Sequence, residues 1–317
     1  MPRASSLDDC IASTGVARNR KQSRSPDLVA PSEISPAHPA NVAQRGDNRA
    51  RQTVQVTQTR PATDPRETAN PPRYGLEVLV VLGVSLGMSA IYALLYYIRA
   101  EITVKGGIAA TTATVVSGPA TRYPWLDLAD DLADVLNGLM PAALALLLLS
   151  RFPGGRGFGI GLDRLHLRRD ALQGIGFAAL IGLPGLGLVW IAHELSINAT
   201  IAAVDLPDAW YRVPLLILEG AQNGILEEIV VVGYLLTRLR ELGWSDSRAL
   251  GASAVLRGSY HLYQGLGGFL GNLVMGLIFG WWFQRTRRVL PLAVAHTLID
   301  AVSFIGYVYL HTRIKWI

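Results

Sequence analysis

The apolar positions fall into blocks separated by short polar or glycine-rich links, and no long strand-like alternation runs through them. Stretches long enough to cross a ~30 Å hydrocarbon core occur at about seven places. They lie near Gly75–Ile98, Leu132–Ser150, Ala171–Leu195, Val213–Leu239, Ser247–Gln264, Phe269–Arg285 and Val289–Leu310. The pattern predicts an all-α fold, a polytopic transmembrane bundle of about seven helices. The fifth and sixth segments are short and polar for spans, and Gly265–Phe269 leaves almost no link between them. A tight helical hairpin is expected there. Gly267 with Gly271, and Gly276 with Gly280, provide spacings that let helices approach closely.

Before Tyr74 the chain has a different character. Residues 1–73 are rich in Pro, Ser, Arg, Asp, Asn and Gln and lack apolar periodicity, so they bury too little to offset ordering entropy. The expected organisation is a disordered basic tail over 1–73 and a multi-pass membrane domain over 74–317. No apolar h-region follows the early arginines, so the tail does not read as a signal peptide.

Charge sharpens the topology. The chain carries a formal charge of +5, concentrated outside the apolar blocks. Arg151, Arg156, Arg164, Arg168 and Arg169 share one loop; Arg238, Arg240 and Arg248 share another; Arg285, Arg287 and Arg288 share a third. With seven spans these loops and the basic tail fall on one face, which the positive-inside rule makes cytoplasmic. The expectation is a cell-membrane protein with its N-terminus in the cytoplasm and the lipid bilayer as partner. The tail arginines are scattered without interleaved aromatics, so nucleic acid is not an expected partner. The segment from Gly154 to Gly161 lacks the Lys-Ser/Thr of a phosphate loop and reads as a connector, with a basic interfacial stretch and a surface His166 after it. Cys10 is the single cysteine and supports neither a disulfide framework nor a thiolate metal site.

The candidate chemistry lies inside the apolar blocks. Glu227 and Glu228 interrupt the fourth, His261 ends the fifth, and the seventh holds His296 with Asp300 four residues on. A charge at bilayer depth costs ~2.5–3.5 kcal/mol on insertion scales, so such groups pair, neutralise or react. Glu219 and Asn223 precede Glu227 at steps of four, giving a polar stripe that suits a water-accessible groove. Glu227 and Glu228 are consecutive, so they point roughly 100° apart and are not expected to face one small cavity centre. Arg257 lies four residues before His261 on the same face. The set suits hydrolysis by an activated water: a carboxylate as general base, a histidine sharing its water, and donors for the developing oxyanion. Glu227 with His261 fits the first role and His296 with Asp300 the second.

The sequence around Glu-Glu-Ile-x-x-x-Gly-Tyr-Leu-Leu, then x-x-Gly-x-x-His-Leu-Tyr-Gln-Gly, then Pro-Leu-x-x-Ala-His-x-x-x-Asp resembles the CPBP family. These are the CAAX-protease and bacteriocin-processing intramembrane proteases, related to the Ras-converting prenyl-protein endopeptidases. The motifs span Ala221 to Asp300, within a core of about 212–310. The resemblance implies an all-helical membrane protease that cuts a membrane-associated peptide or protein without metal or other cofactor. It implies Glu227 as base, Glu228 as its companion, His261 as the water-positioning histidine, and His296 with Asp300 as the oxyanion pair.

Three positions depart from the family pattern. Val232 stands where an arginine is usual, Arg257 where an aromatic is usual, and Asp300 where Asn is commoner. The paired changes lead to the expectation that Arg257 reaches Glu228 or Glu227 across the helix interface as the missing counter-charge, in bidentate geometry. A carboxylate at 300 cannot donate to an oxyanion, so Asp300 is expected to keep His296 positively charged and leave donation to that ring. Two other classes stay open at this stage. One is a non-proteolytic scaffold or bacteriocin-immunity-type protein retaining the fold. The other is a metalloprotease or ion transporter, although His193-Glu194 begins no HExxH motif because Ile197 occupies the second histidine's place.

Overall fold

The polar links between apolar blocks become helix boundaries in the computed structural model, which describes residues 73–114, 123–151, 156–202, 209–311 and 313. The tail expected to be disordered lies, up to residue 72, outside the described residues. Nine α-helices follow among the described residues: α1 Tyr74–Gly83, α2 Leu86–Thr103, α3 Pro124–Ser150, α4 Leu167–Glu194, α5 Arg212–Glu227, α6 Leu235–Glu241, α7 Asp246–Tyr260, α8 Leu266–Thr286 and α9 Leu290–Leu310. The fold is an all-α membrane bundle. Among the described residues four helices, α3, α4, α8 and α9, are long and apolar enough to cross a membrane, and the bent pair α1–α2 would make a fifth if it is one span.

The first expected span is broken. Helices α1 and α2 meet at 52° across Val84 and Ser85. A Cβ at Gly87 would sit 2.7 Å from the Leu82 carbonyl oxygen, so the bend needs glycine there. The fourth expected span is also not one regular helix. A seven-residue π-helix, Glu228–Tyr234, joins α5 to α6, and all seven of its residues are buried. Hydropathy reports no change of pitch, which is why the pattern read these residues as one continuous segment.

The expected hairpin is formed by α7 and α8, turning at Gly265 with φ +107°. Gly276 and Gly280 face Ala254 and Leu250 of α7, as the small-residue spacing suggested. A short parallel pair, β1 Thr112–Thr114 and β2 Thr200–Ala202, had no counterpart in the sequence pattern. Three-residue strands carry too little alternation to show.

Two arginines counted above as topology signals are structural clamps. Arg238 is fully buried and donates to Glu77 (2.7 Å), Glu241 (2.8 Å) and the Leu148 carbonyl (2.9 Å), tying α6 to α1 and α3. Arg288 donates to Asp170 through Nε (2.9 Å) and Nη2 (2.6 Å), and to Asp163 through Nη1 (2.9 Å). Hydrogen bonding from Arg288 holds the Asp163 carboxyl below its usual range, so this lock stabilises at neutral pH and is lost as acidification passes that lowered value.

Helices α5 and α9 meet through glycine. A Cβ at Gly224 would lie 2.8 Å from Thr297 Oγ1 and 2.9 Å from the Thr297 nitrogen, whereas Gly176 on α4 has nothing within 4 Å. Gly224→Ala should therefore destabilise by about 1–3 kcal/mol through overpacking. Gly176→Ala should be neutral or stabilising. Thermal unfolding in detergent would check the opposite signs.

Candidate active site

Four elements converge on the glutamate pair. Helix α5 ends at Glu227 and the π-helix begins at Glu228, α7 brings Arg257 and Tyr260 with His261 immediately after it, and α9 brings His296 and Asp300. Glycines at 220 and 224 of α5 let α9 approach within backbone distance, setting Asp300 and Thr297 against the Glu227 side of α5. The π-helix is held from α7 by the Ser253 hydroxyl, which donates to the Val231 carbonyl at 2.8 Å. Such widened turns recur at functional sites.

Glu228 is completely buried. Its Oε1 accepts from Arg257 Nη2 at 2.5 Å and lies 2.8 Å from His296 Nδ1. Arg257, also completely buried, stacks its guanidinium 5.6 Å from the Phe279 ring centroid. The contact to Glu228 is through one nitrogen and one oxygen, not the bidentate arrangement expected; Glu228 Oε2 and Arg257 Nε and Nη1 have no hydrogen-bond partner among the described residues. Val232, where the motif usually carries arginine, is a fully buried apolar residue.

Glu227 faces a different set of groups. Tyr260 donates to its Oε2 at 2.6 Å. Its Oε1 is 3.6 Å from His261 Nε2, and its Oε2 is 3.9 Å from His296 Nε2. These two separations exceed a direct hydrogen bond and suit groups that share a third polar atom. Neither ring nitrogen of His261 has a hydrogen-bond partner among the described residues.

The two glutamates do meet, through His296. Although consecutive residues diverge, the imidazole is wide enough for Glu228 to hold Nδ1 while Glu227 faces Nε2. Asp300 Oδ1 is 3.7 Å from His296 Nε2, farther than Glu228 is from Nδ1, so Glu228 is the closer anion to that ring. Asp300 Oδ2 accepts from Asn223 Nδ2 at 3.3 Å.

All six candidate residues thus lie together, and the structure adds two. Tyr260 was missed, although its place beside His261 in an apolar block was a usable signal. Asn223 appeared only as part of a polar stripe, and its partner on α9 could not be read from one helix. Among the described residues no three His, Cys, Asp or Glu side chains are grouped so as to hold a metal ion.

Removing one partner of a buried ion pair costs about 3–5 kcal/mol, because the other charge stays buried. Arg257→Met should lower thermal stability on that scale, and adding Glu228→Gln should recover most of it. A single variant as stable as the original would show that Arg257 is not the counter-charge.

Residues 209–302 match the family described as type II CAAX prenyl endopeptidase Rce1-like, a range that contains every residue of the site. No curated protein and no solved structure matches the chain. Over residues 209–302 the chain is similar to the Rce1-like CAAX endopeptidases, the grouping its three motifs resemble.

Proposed function

We propose that this protein is an intramembrane endopeptidase that hydrolyses a peptide bond of a membrane-associated peptide or protein with a water activated by Glu227. The observation that carries the reading is the placement of one buried carboxylate against imidazoles from two other segments, 3.6 Å from His261 and 3.9 Å from His296. Glu227 and His261 hold the water between them. Glu227 takes its proton as the oxygen attacks the scissile carbonyl carbon. The tetrahedral oxyanion accepts hydrogen bonds from His296 Nε2–H and from Asn223. Glu227 then passes the proton to the amide nitrogen as the carbon–nitrogen bond breaks, leaving a carboxyl and an amine.

The other groups set this geometry. Tyr260 fixes the Glu227 carboxylate by donating to Oε2. Glu228, charge-balanced by Arg257, holds His296 by Nδ1 and so presents Nε2. Asp300 as a carboxylate cannot donate, but it orients the Asn223 amide, whose second N–H remains for substrate. The remaining basic loops favour a cytoplasmic N-terminus by the positive-inside rule.

Cleavage of membrane peptides by the purified protein in detergent tests the reaction. Glu227→Gln and His261→Ala should each abolish measurable turnover, while chelator leaves it intact. Turnover unaffected by Glu227→Gln would sink the general-base assignment; no cleavage by the unaltered protein would favour the scaffold reading instead. Losing a preorganised oxyanion donor costs about 10²–10³ in kcat. Asn223→Ala should fall in that range with KM little changed, whereas Asp300→Asn should keep appreciable activity.

A further inference from the structure

Outside the glutamate site, a concentration of unassigned charge lies at the start of α4. An open groove of 660 Å³ is lined there by Arg164, His166, Arg168, Arg169 and Leu172, among others. Two carboxylates are close in sequence, Asp163 and Asp170, and either could have neutralised these cations. Both are taken. Arg288 arrives from the link before α9 and spreads its guanidinium over all four carboxylate oxygens, at 2.9 and 3.3 Å to Asp163 and 2.9 and 2.6 Å to Asp170. Asp163 also receives the Leu165 amide at 3.0 Å. Arg164, Arg168 and Arg169 form no ion pair among the described residues. Three exposed guanidiniums are left around one groove with their natural partners committed elsewhere.

The surroundings decide what anion fits. The groove's apolar side chains are open: Leu165 is 71% exposed, Leu172 60% and Leu167 50%. Helix α4 continues from it as the most apolar of the four unbroken candidate spans, with mean hydropathy 2.1 and only 6% of that window buried. This helix therefore faces lipid along its length, and its first turn lies where that apolar face begins. An occupant must offer negative charge to the guanidiniums and hydrocarbon to the leucines.

We propose that this groove binds the phosphate headgroup of an anionic phospholipid, with Arg164, Arg168 and Arg169 on the phosphate and Leu165 and Leu172 against the acyl chains. Arginine suits phosphate because its planar fork donates two hydrogen bonds at once. The position links the site to the rest of the bundle. The same segment is locked by Arg288 to the start of α9, and Gly174 of α4 sits against Val294 and the Pro291 carbonyl. The bound lipid anchors the helix pair whose second member carries His296. The lipid site stands independently of the hydrolytic reading.

Native mass spectrometry of the full chain in detergent tests it, with phosphatidylglycerol, phosphatidylcholine and inorganic phosphate as separate probes. Phosphatidylglycerol should be retained at least about tenfold more tightly than phosphatidylcholine, and more weakly as salt is raised. Substituting Arg164→Gln, Arg168→Gln and Arg169→Gln together should remove that preference, bringing phosphatidylglycerol retention down to that of phosphatidylcholine. All three side chains are exposed, so the melting temperature in lipid-free detergent should hold. Arg240→Gln with Arg248→Gln, two exposed arginines that do not line the groove, should leave retention unchanged. Equal retention of the two lipids, a triple variant that binds normally, or an equal loss in the control would each overturn the site. Inorganic phosphate binding as tightly as the lipid would assign the groove to a soluble anion and overturn it too.

Discussion

Glu228 is a full charge placed where almost no solvent reaches, and the arrangement around it follows from that cost. An isolated carboxylate in such a medium is penalised by several kcal/mol, so its neighbours must supply charge and hydrogen bonds. Arg257 provides the cation from α7, and His296 provides a ring nitrogen from α9. Helices α7 and α9 are thereby pinned to one carboxylate oxygen of the π-helix. Because His296 is held by one nitrogen, its other is fixed in direction toward Glu227. A requirement of charge burial becomes a requirement of orientation.

The same rule operates away from the site. Arg238 and Arg288 each gather several acceptors from separate elements, Arg238 joining α6 to α1 and α3, and Arg288 joining the start of α9 to α4. Lipid-facing helices gain little from hydrophobic attraction to each other, since lipid is as apolar as they are. Close backbone approach and buried polar clamps supply the specificity instead. Gly220 and Gly224 serve the α5–α9 contact, and Gly276 and Gly280 the α7–α8 contact. These glycines matter to function indirectly, because a spacing error of an ångström between α5 and α9 would separate Asn223 from Asp300 and Glu227 from His296.

Much of this was legible along the chain. Apolar block lengths marked the helices, because a span must satisfy its backbone internally and so needs a minimum run of apolar residues. The break between α1 and α2 and the π-helix at Glu228 were not legible, since both change backbone geometry without changing polarity. Arg238 and Arg288 looked like loop residues for a related reason: hydropathy counts a cation as exposed, and only a partner brought from elsewhere can bury it.

For the site, the sequence by itself determined which groups are present and that they are too costly to lie idle at bilayer depth. Glu227, Glu228, His261, His296 and Asp300 stand out because each is an ionisable residue in an apolar run. Tertiary structure decided their partners. Arg257 could have addressed either glutamate, and it was placed on Glu228; Tyr260 went to Glu227 and Asn223 to Asp300. Spacing within one helix fixes which residues share a face, but distances between side chains on different helices depend on crossing and depth. Those are set by where small residues let the helices touch.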